Sequence, residues 1–122
     1  ITGFGRTGRY WGHEHSGVRA DIVTIGKAFG GGFPLSGVLT TDAISQAKPW
    51  SNPSGSSSSY GGNPLGAAAG SAALRAIDDD ALVENARVVG AAMLAELQAF
   101  EGDYPFVGHV RGRGLFLGLG YR

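Results

Sequence analysis

Residues 24–37 read TIGKAFGGGFPLSG, and within them Lys27 follows a short apolar run and precedes three consecutive glycines, Gly30 to Gly32, and a Phe33-Pro34 pair. The chain has one other lysine, Lys48, and otherwise carries its positive charge on arginine. A lysine at the end of a buried strand ordinarily snorkels to water or pairs with a carboxylate, and on spacing alone those readings lead. The alternative is imine chemistry, in which a partly desolvated amine with a lowered pKa attacks an aldehyde carbon. A planar group lying against the backbone needs small neighbours, and the triple glycine supplies that space.

Other residues suggest chemistry less sharply. The run SGSSSSYGGNP, residues 54–64, is rich in hydroxyls, yet on composition alone it is a solvated polar loop. His13 and His15 stand two apart with no third ligand in view, so loop histidines are the better reading. Asp78, Asp79 and Asp80 could hold a cation, but carboxylates at a helix start favour capping. Arg111 and Arg113 could grip a carboxylate in bidentate fashion. With no cysteine, neither a disulfide framework nor a thiolate metal site can form. Ten basic and ten acidic side chains balance to zero, so no field favours nucleic acid or an anionic membrane.

The elements that position these residues can be read from pattern. DIVTIG (21–26) is a β-branched run that reads as a buried strand, and LSGVLTT (35–41) reads as another. The link between them is too short for a crossover helix, so the two strands are expected to pair antiparallel, with Lys27 just past the carboxyl end of the first. Open α/β sheets place ligands at that edge. Residues 48–64 form a long turn-rich segment, as often functional as a plain linker. Asn63-Pro64 suits a helix start, and LGAAAGSAALRAI continues it with Leu65, Ala69, Ala72 and Ile77 on one side. A second helix is expected to run to about Phe100 with an apolar stripe at Leu82, Ala86, Val89, Met93, Leu97 and Phe100. VGHVRGRGLFLGLG then reads as strand, glycine turn and strand, with Leu115, Leu117 and Leu119 on one face. The opening eighteen residues read as a loop with short extended pieces. The chain opens on Ile1 rather than methionine and stops just after a strand-like run, so both ends are expected to be internal cuts. No apolar run or leader suits a membrane, and a cytoplasmic location is the expectation.

Taken together, TGFGRTG (2–8), Trp11, GVRADIVTIGKAFGGGFPLSGVL (17–39), SYGGNPLGAAAG (59–70) and VRGRGLFLGL (110–119) closely resemble the class III pyridoxal-phosphate-dependent aminotransferases, a fold-type I family. Four linked motifs in order are far more specific than any single glycine cluster. The resemblance implies an α/β fold: residues 1–78 as the C-terminal part of a large domain with a mixed, mainly parallel sheet and helices, and 79–122 as the start of an α+β small domain. It implies that Lys27 holds pyridoxal 5′-phosphate as an internal aldimine and, once released, shuttles the proton between substrate Cα and cofactor. Ser59 occupies the place of a threonine that reaches the phosphate in the neighbouring subunit of a homodimer, and it keeps the hydroxyl. Ser56 stands where many members carry histidine. Ile1 corresponds to a residue beside the cofactor ring, often glutamine, and cannot hydrogen-bond the ring hydroxyl. Arg111 and Arg113 fall in a segment whose role in that family is mainly structural.

The activity so implied is transamination between an amino donor and a 2-oxo acid. An aminomutase or a decarboxylating relative would use the same lysine, although FGRTG leans toward transamination. The aspartate that keeps the pyridinium nitrogen protonated would lie upstream of Ile1, and a carboxylate-binding arginine would lie beyond Arg122. A protonated ring nitrogen is the electron sink for a Cα carbanion, so residues 1–122 alone are expected to be inactive. A catalytically incomplete structural fragment is the non-enzymatic alternative.

Overall fold

A computed structural model describes all 122 residues. The chain divides into two compact units, Arg19–Leu74 and Ile1–Val18 with Arg75–Arg122, and the division falls within one helix.

In the Arg19–Leu74 unit, β1 (Ile22–Ile25) pairs antiparallel with β2 (Gly37–Thr40), Ile22 opposite Thr40 and Ile25 opposite Gly37. The short link allows only this sense of pairing, as its length predicts. A four-residue helix, α1 (Asp42–Ser45), follows; the Ile44 amide donates to the Thr41 side chain at 3.4 Å and Asp42 sits in the first turn. Its signal is the Thr-Asp pair, which the sequence reading passes over. No helix or strand forms between Gln46 and Asn63.

Helix α2 (Pro64–Asp79) begins where Asn63-Pro64 predicts. The Gly66 amide donates to Asn63 Oδ1 at 2.7 Å, and proline occupies the first position, where no amide is needed. Of the side expected to pack, Ile77 is buried, whereas Leu65, at 67%, and Ala72 are exposed. Gly66 and Gly70 are also buried. The cause is close approach: a Cβ at Gly70 would lie 2.7 Å from Leu35 Cδ2, so the glycine edge of the helix, not its leucine, lies against the turn after β1.

In the other unit, the opening residues form turns and a 3-10 helix over Gly12–Ser16, with no strand, so the expected extended pieces are absent. Phe4, Tyr10 and Trp11 pack edge-to-face, with Phe4–Trp11 centroids 5.0 Å apart. Helix α3 (Leu82–Asp103) packs on the hairpin of β3 (Val107–Arg113) and β4 (Phe116–Tyr121), antiparallel with an irregularity between Val107 and His109. Ala86, Val107 and Val110 are buried here with Ile77.

Two expectations about α3 are corrected. Leu82, Val89, Met93 and Phe100 of the predicted stripe are exposed, and the buried seam is Ala86 and Gly90. Gly90 admits the Gly114 turn so closely that a Cβ there would lie 2.5 Å from Gly114 Cα. The acidic triplet does not cap the helix. α2 continues through Asp79, and Ala81 takes the N-cap position with φ 50° and no side-chain hydrogen bond. The two sheets are both antiparallel pairs, so the mainly parallel sheet implied by the resemblance is not built within these residues. No helix is long and apolar enough to cross a membrane.

Candidate active site

Lys27 opens a 3-10 turn, Lys27–Gly30, immediately after β1 and Gly26. Its backbone is left-handed, φ 53°, a region that costs a non-glycine residue about 1–2 kcal/mol. Such strain persists where surrounding contacts impose it, and it clusters at functional positions. The contacts here are visible. Phe29 donates its amide to Gly26 O at 3.2 Å, Gly31 donates to Ala28 O at 3.1 Å, and Phe33 donates to Gly30 O at 3.0 Å. Gly30 is buried against Leu35, and Gly31 (φ 58°) lies where a Cβ would come 3.2 Å from Ala73 Cβ.

The Lys27 side chain is exposed and makes no ion pair or hydrogen bond. The carboxylate-paired reading is therefore set aside, and the amine is available to a ligand. Gly32 (φ 108°) has no atom within 4 Å of where a Cβ would sit, leaving its backbone open beside the turn.

Ser59 lies in the same unit, exposed, in the turn ahead of Tyr60. The turn is tied to α2 through Asn63, whose Nδ2 donates to Tyr60 O at 2.9 Å while its Oδ1 caps the helix. Asn63 thus couples the hydroxyl-bearing loop to a helix start, a positioning role that the YGGNP string carries but that reading by composition overlooks. Ile1 belongs to the other unit and is 73% exposed. Ser56 lines a small cavity of about 340 Å³ with Trp50 and Ile44.

Pyridoxal phosphate needs an amine for its aldehyde, room for its flat ring and donors for its phosphate. An unpartnered primary amine at a strand end suits its aldehyde, open glycine backbone suits its flat ring, and a loop hydroxyl suits its phosphate. These residues fit the group at those points.

His15 and Arg113 are brought together from 98 residues apart: an Arg113 Nη1 donates to His15 Nδ1 at 3.3 Å, and His15 Nε2 lies 2.9 Å from Thr7 Oγ1. Sequence spacing carries no signal of this link.

The sequence model of the family described as "Aminotransferase class-III" matches residues 1–121. Over 118 residues the chain is 42% identical to acetylornithine aminotransferase of Mycobacterium tuberculosis, covering 97% of this chain and 28% of that protein. It is 44% identical over 119 residues to ornithine aminotransferase of Bordetella pertussis, again 97% of this chain and 28% of the relative. The crystal structure of acetylornithine aminotransferase from Elizabethkingia anophelis superposes with a TM-score of 0.89 at 33% identity, covering 99% of this chain and 30% of that one. The chain therefore spans a little over a quarter of the length of these relatives.

Proposed function

Because the chain belongs to the class III aminotransferases, we propose that it is the segment of a transaminase that carries the cofactor lysine, Lys27, in an enzyme moving an amino group between an amino donor and a 2-oxo acid. The observation that carries the reading is the strained, unpartnered lysine at the carboxyl end of β1, inside a glycine-rich turn.

Pyridoxal phosphate, when bound, supplies the electron sink that stabilises negative charge at the substrate Cα. Lys27 Nζ is the atom that holds its aldehyde carbon. With its amine free, Lys27 Nζ would act as the base that takes the proton from substrate Cα and would carry it as the general acid. The Lys27 side chain is exposed, and Gly32 leaves open space in the turn beside it. Ser59 Oγ would donate to a phosphate oxygen at the site of the neighbouring subunit in a homodimer, and Ile1 would be the residue beside the ring. Residues 1–78 belong to the fold-type I large domain and 79–122 open the small domain, in a cytoplasmic enzyme.

Reductive trapping with borohydride on the full-length, cofactor-loaded protein tests this. The label is expected on the peptide containing Lys27, and Lys27→Ala is expected to abolish both label and turnover while circular dichroism is unchanged. A label on Lys48, or none, refutes the assignment.

A further inference from the structure

Within the Ile1–Val18 and Arg75–Arg122 unit an open groove of about 650 Å³ runs between the opening loop and the β3–β4 hairpin. Arg111 and Arg113 line it from one face of β3, being two residues apart on a strand, with Cα atoms roughly 7 Å apart. Neither guanidinium pairs with a carboxylate: the ion pairs of the chain are Glu84–Arg87 and Glu101–His109, and no aspartate or glutamate lines the groove. Arg111 makes no side-chain hydrogen bond within the protein, and Arg113 makes one, to His15.

Arg113 is also held in place. A guanidinium can only donate, so His15 Nδ1 accepts, and the ring proton sits on Nε2 and is donated to Thr7 Oγ1. Thr7 is 6% exposed, which anchors the relay in the core, and its own hydroxyl proton is left over for a further acceptor. Phe116, directly across the hairpin from Arg113, adds apolar surface beside the guanidinium, and the facing wall is the opening loop with Thr2, Gly12 and Ser16. Two forked cations, one fixed in advance, beside an apolar surface form a receptor for an oxyanion on a short carbon frame.

We propose that this groove is a binding site for a small dianion bearing phosphate or carboxylate groups, distinct in its residues from Lys27 and Ser59. Arg113 takes one oxyanion through its fork, Arg111 the second charge or the remaining oxygens, and Phe116 covers the apolar part.

The test is isothermal titration calorimetry on the full-length protein saturated with cofactor, so that the cofactor's own phosphate site is filled. Inorganic phosphate and glutarate are titrated separately. Saturable binding of either, weakening as salt is raised, is expected. Phosphate alone identifies a phosphate site and glutarate alone a carboxylate site. Arg111→Gln and Arg113→Gln, both at exposed positions, should each weaken binding roughly tenfold or more, the scale of one lost charged hydrogen bond. Thr7→Val, which cuts the relay without touching either charge, should weaken binding less than Arg113→Gln. Absence of binding of both probes to the wild type, or unchanged affinity in both arginine variants, overturns the proposal.

Discussion

Glycine-to-alanine substitution at two positions of the same helix should shift stability in opposite directions. In a helix interior alanine is favoured over glycine by about 0.8–1 kcal/mol, so propensity alone makes both Gly90→Ala and Gly102→Ala stabilising. At Gly102 nothing lies within 4 Å of the added methyl, so most of that gain, about 0.5–1 kcal/mol near the helix end, should be realised. At Gly90 the methyl would lie 2.5 Å from Gly114 Cα, and all its near neighbours are backbone rather than movable side chain. Gly114 cannot retreat freely. It holds φ 53°, the following residue donates its amide to Arg6 O at 2.9 Å, and the Thr7 backbone closes its other side. Overpacking costs about 1–3 kcal/mol, and an immovable neighbour places this case at about 3. Net of the propensity gain, Gly90→Ala should destabilise by about 2 kcal/mol, so the two variants differ by about 3. Thermal unfolding of the full-length protein, at fixed protein and cofactor concentrations, reads the difference. If Gly90→Ala melts at or above the wild type, the close contact between α3 and the hairpin turn is wrong.

Three further outcomes are expected. Ser59→Ala removes one hydrogen bond to a charged group, about 1.5–3 kcal/mol, so cofactor affinity should fall by about one to two powers of ten; an unchanged dissociation constant removes Ser59 from the phosphate site. The Tyr10 phenol is pushed above its ordinary value first by burial and then by the charge of Asp78, so Asp78→Asn should lower it only partly in an ultraviolet absorbance titration referenced to Tyr10→Phe. Because the folded pKa lies above the unfolded one, this group's contribution to stability is fully present below about pH 10 and is lost as pH rises through the folded value. Finally, residues 1–122 produced alone bury only Ile77, Ala86, Val107 and Val110 as apolar core while exposing Val38, Leu65 and Phe106 by more than half, so dye binding and broad, non-cooperative melting are expected. A sharp transition in a monodisperse monomer would contradict that.

Much of the site was legible because it is local. A four-residue β-branched run, a link too short to cross over, and an Asn-Pro helix start constrain the backbone through neighbours within a few residues, and each formed where the residues predict it. The position of Lys27 at the strand end follows from the same short-range logic. Its left-handed φ does not, since lysine carries no preference for that region and only the turn closed by Gly26, Gly30 and Gly31 imposes it. Helical periodicity likewise showed that α2 and α3 have an apolar side but not which side is covered. The covering groups, Leu35 for α2 and the Gly114 turn for α3, come from elsewhere in the chain, and they select glycine edges where the backbones can approach over larger side chains that hold them apart. Asp78 and Asp79 became the end of one helix and Asp80 part of the turn, rather than the cap of the next, because Ala81 takes the N-cap position. The joining of Thr7, His15 and Arg113 was decided entirely by tertiary structure, because a hydrogen bond across 98 residues leaves no periodicity or spacing in the sequence to read.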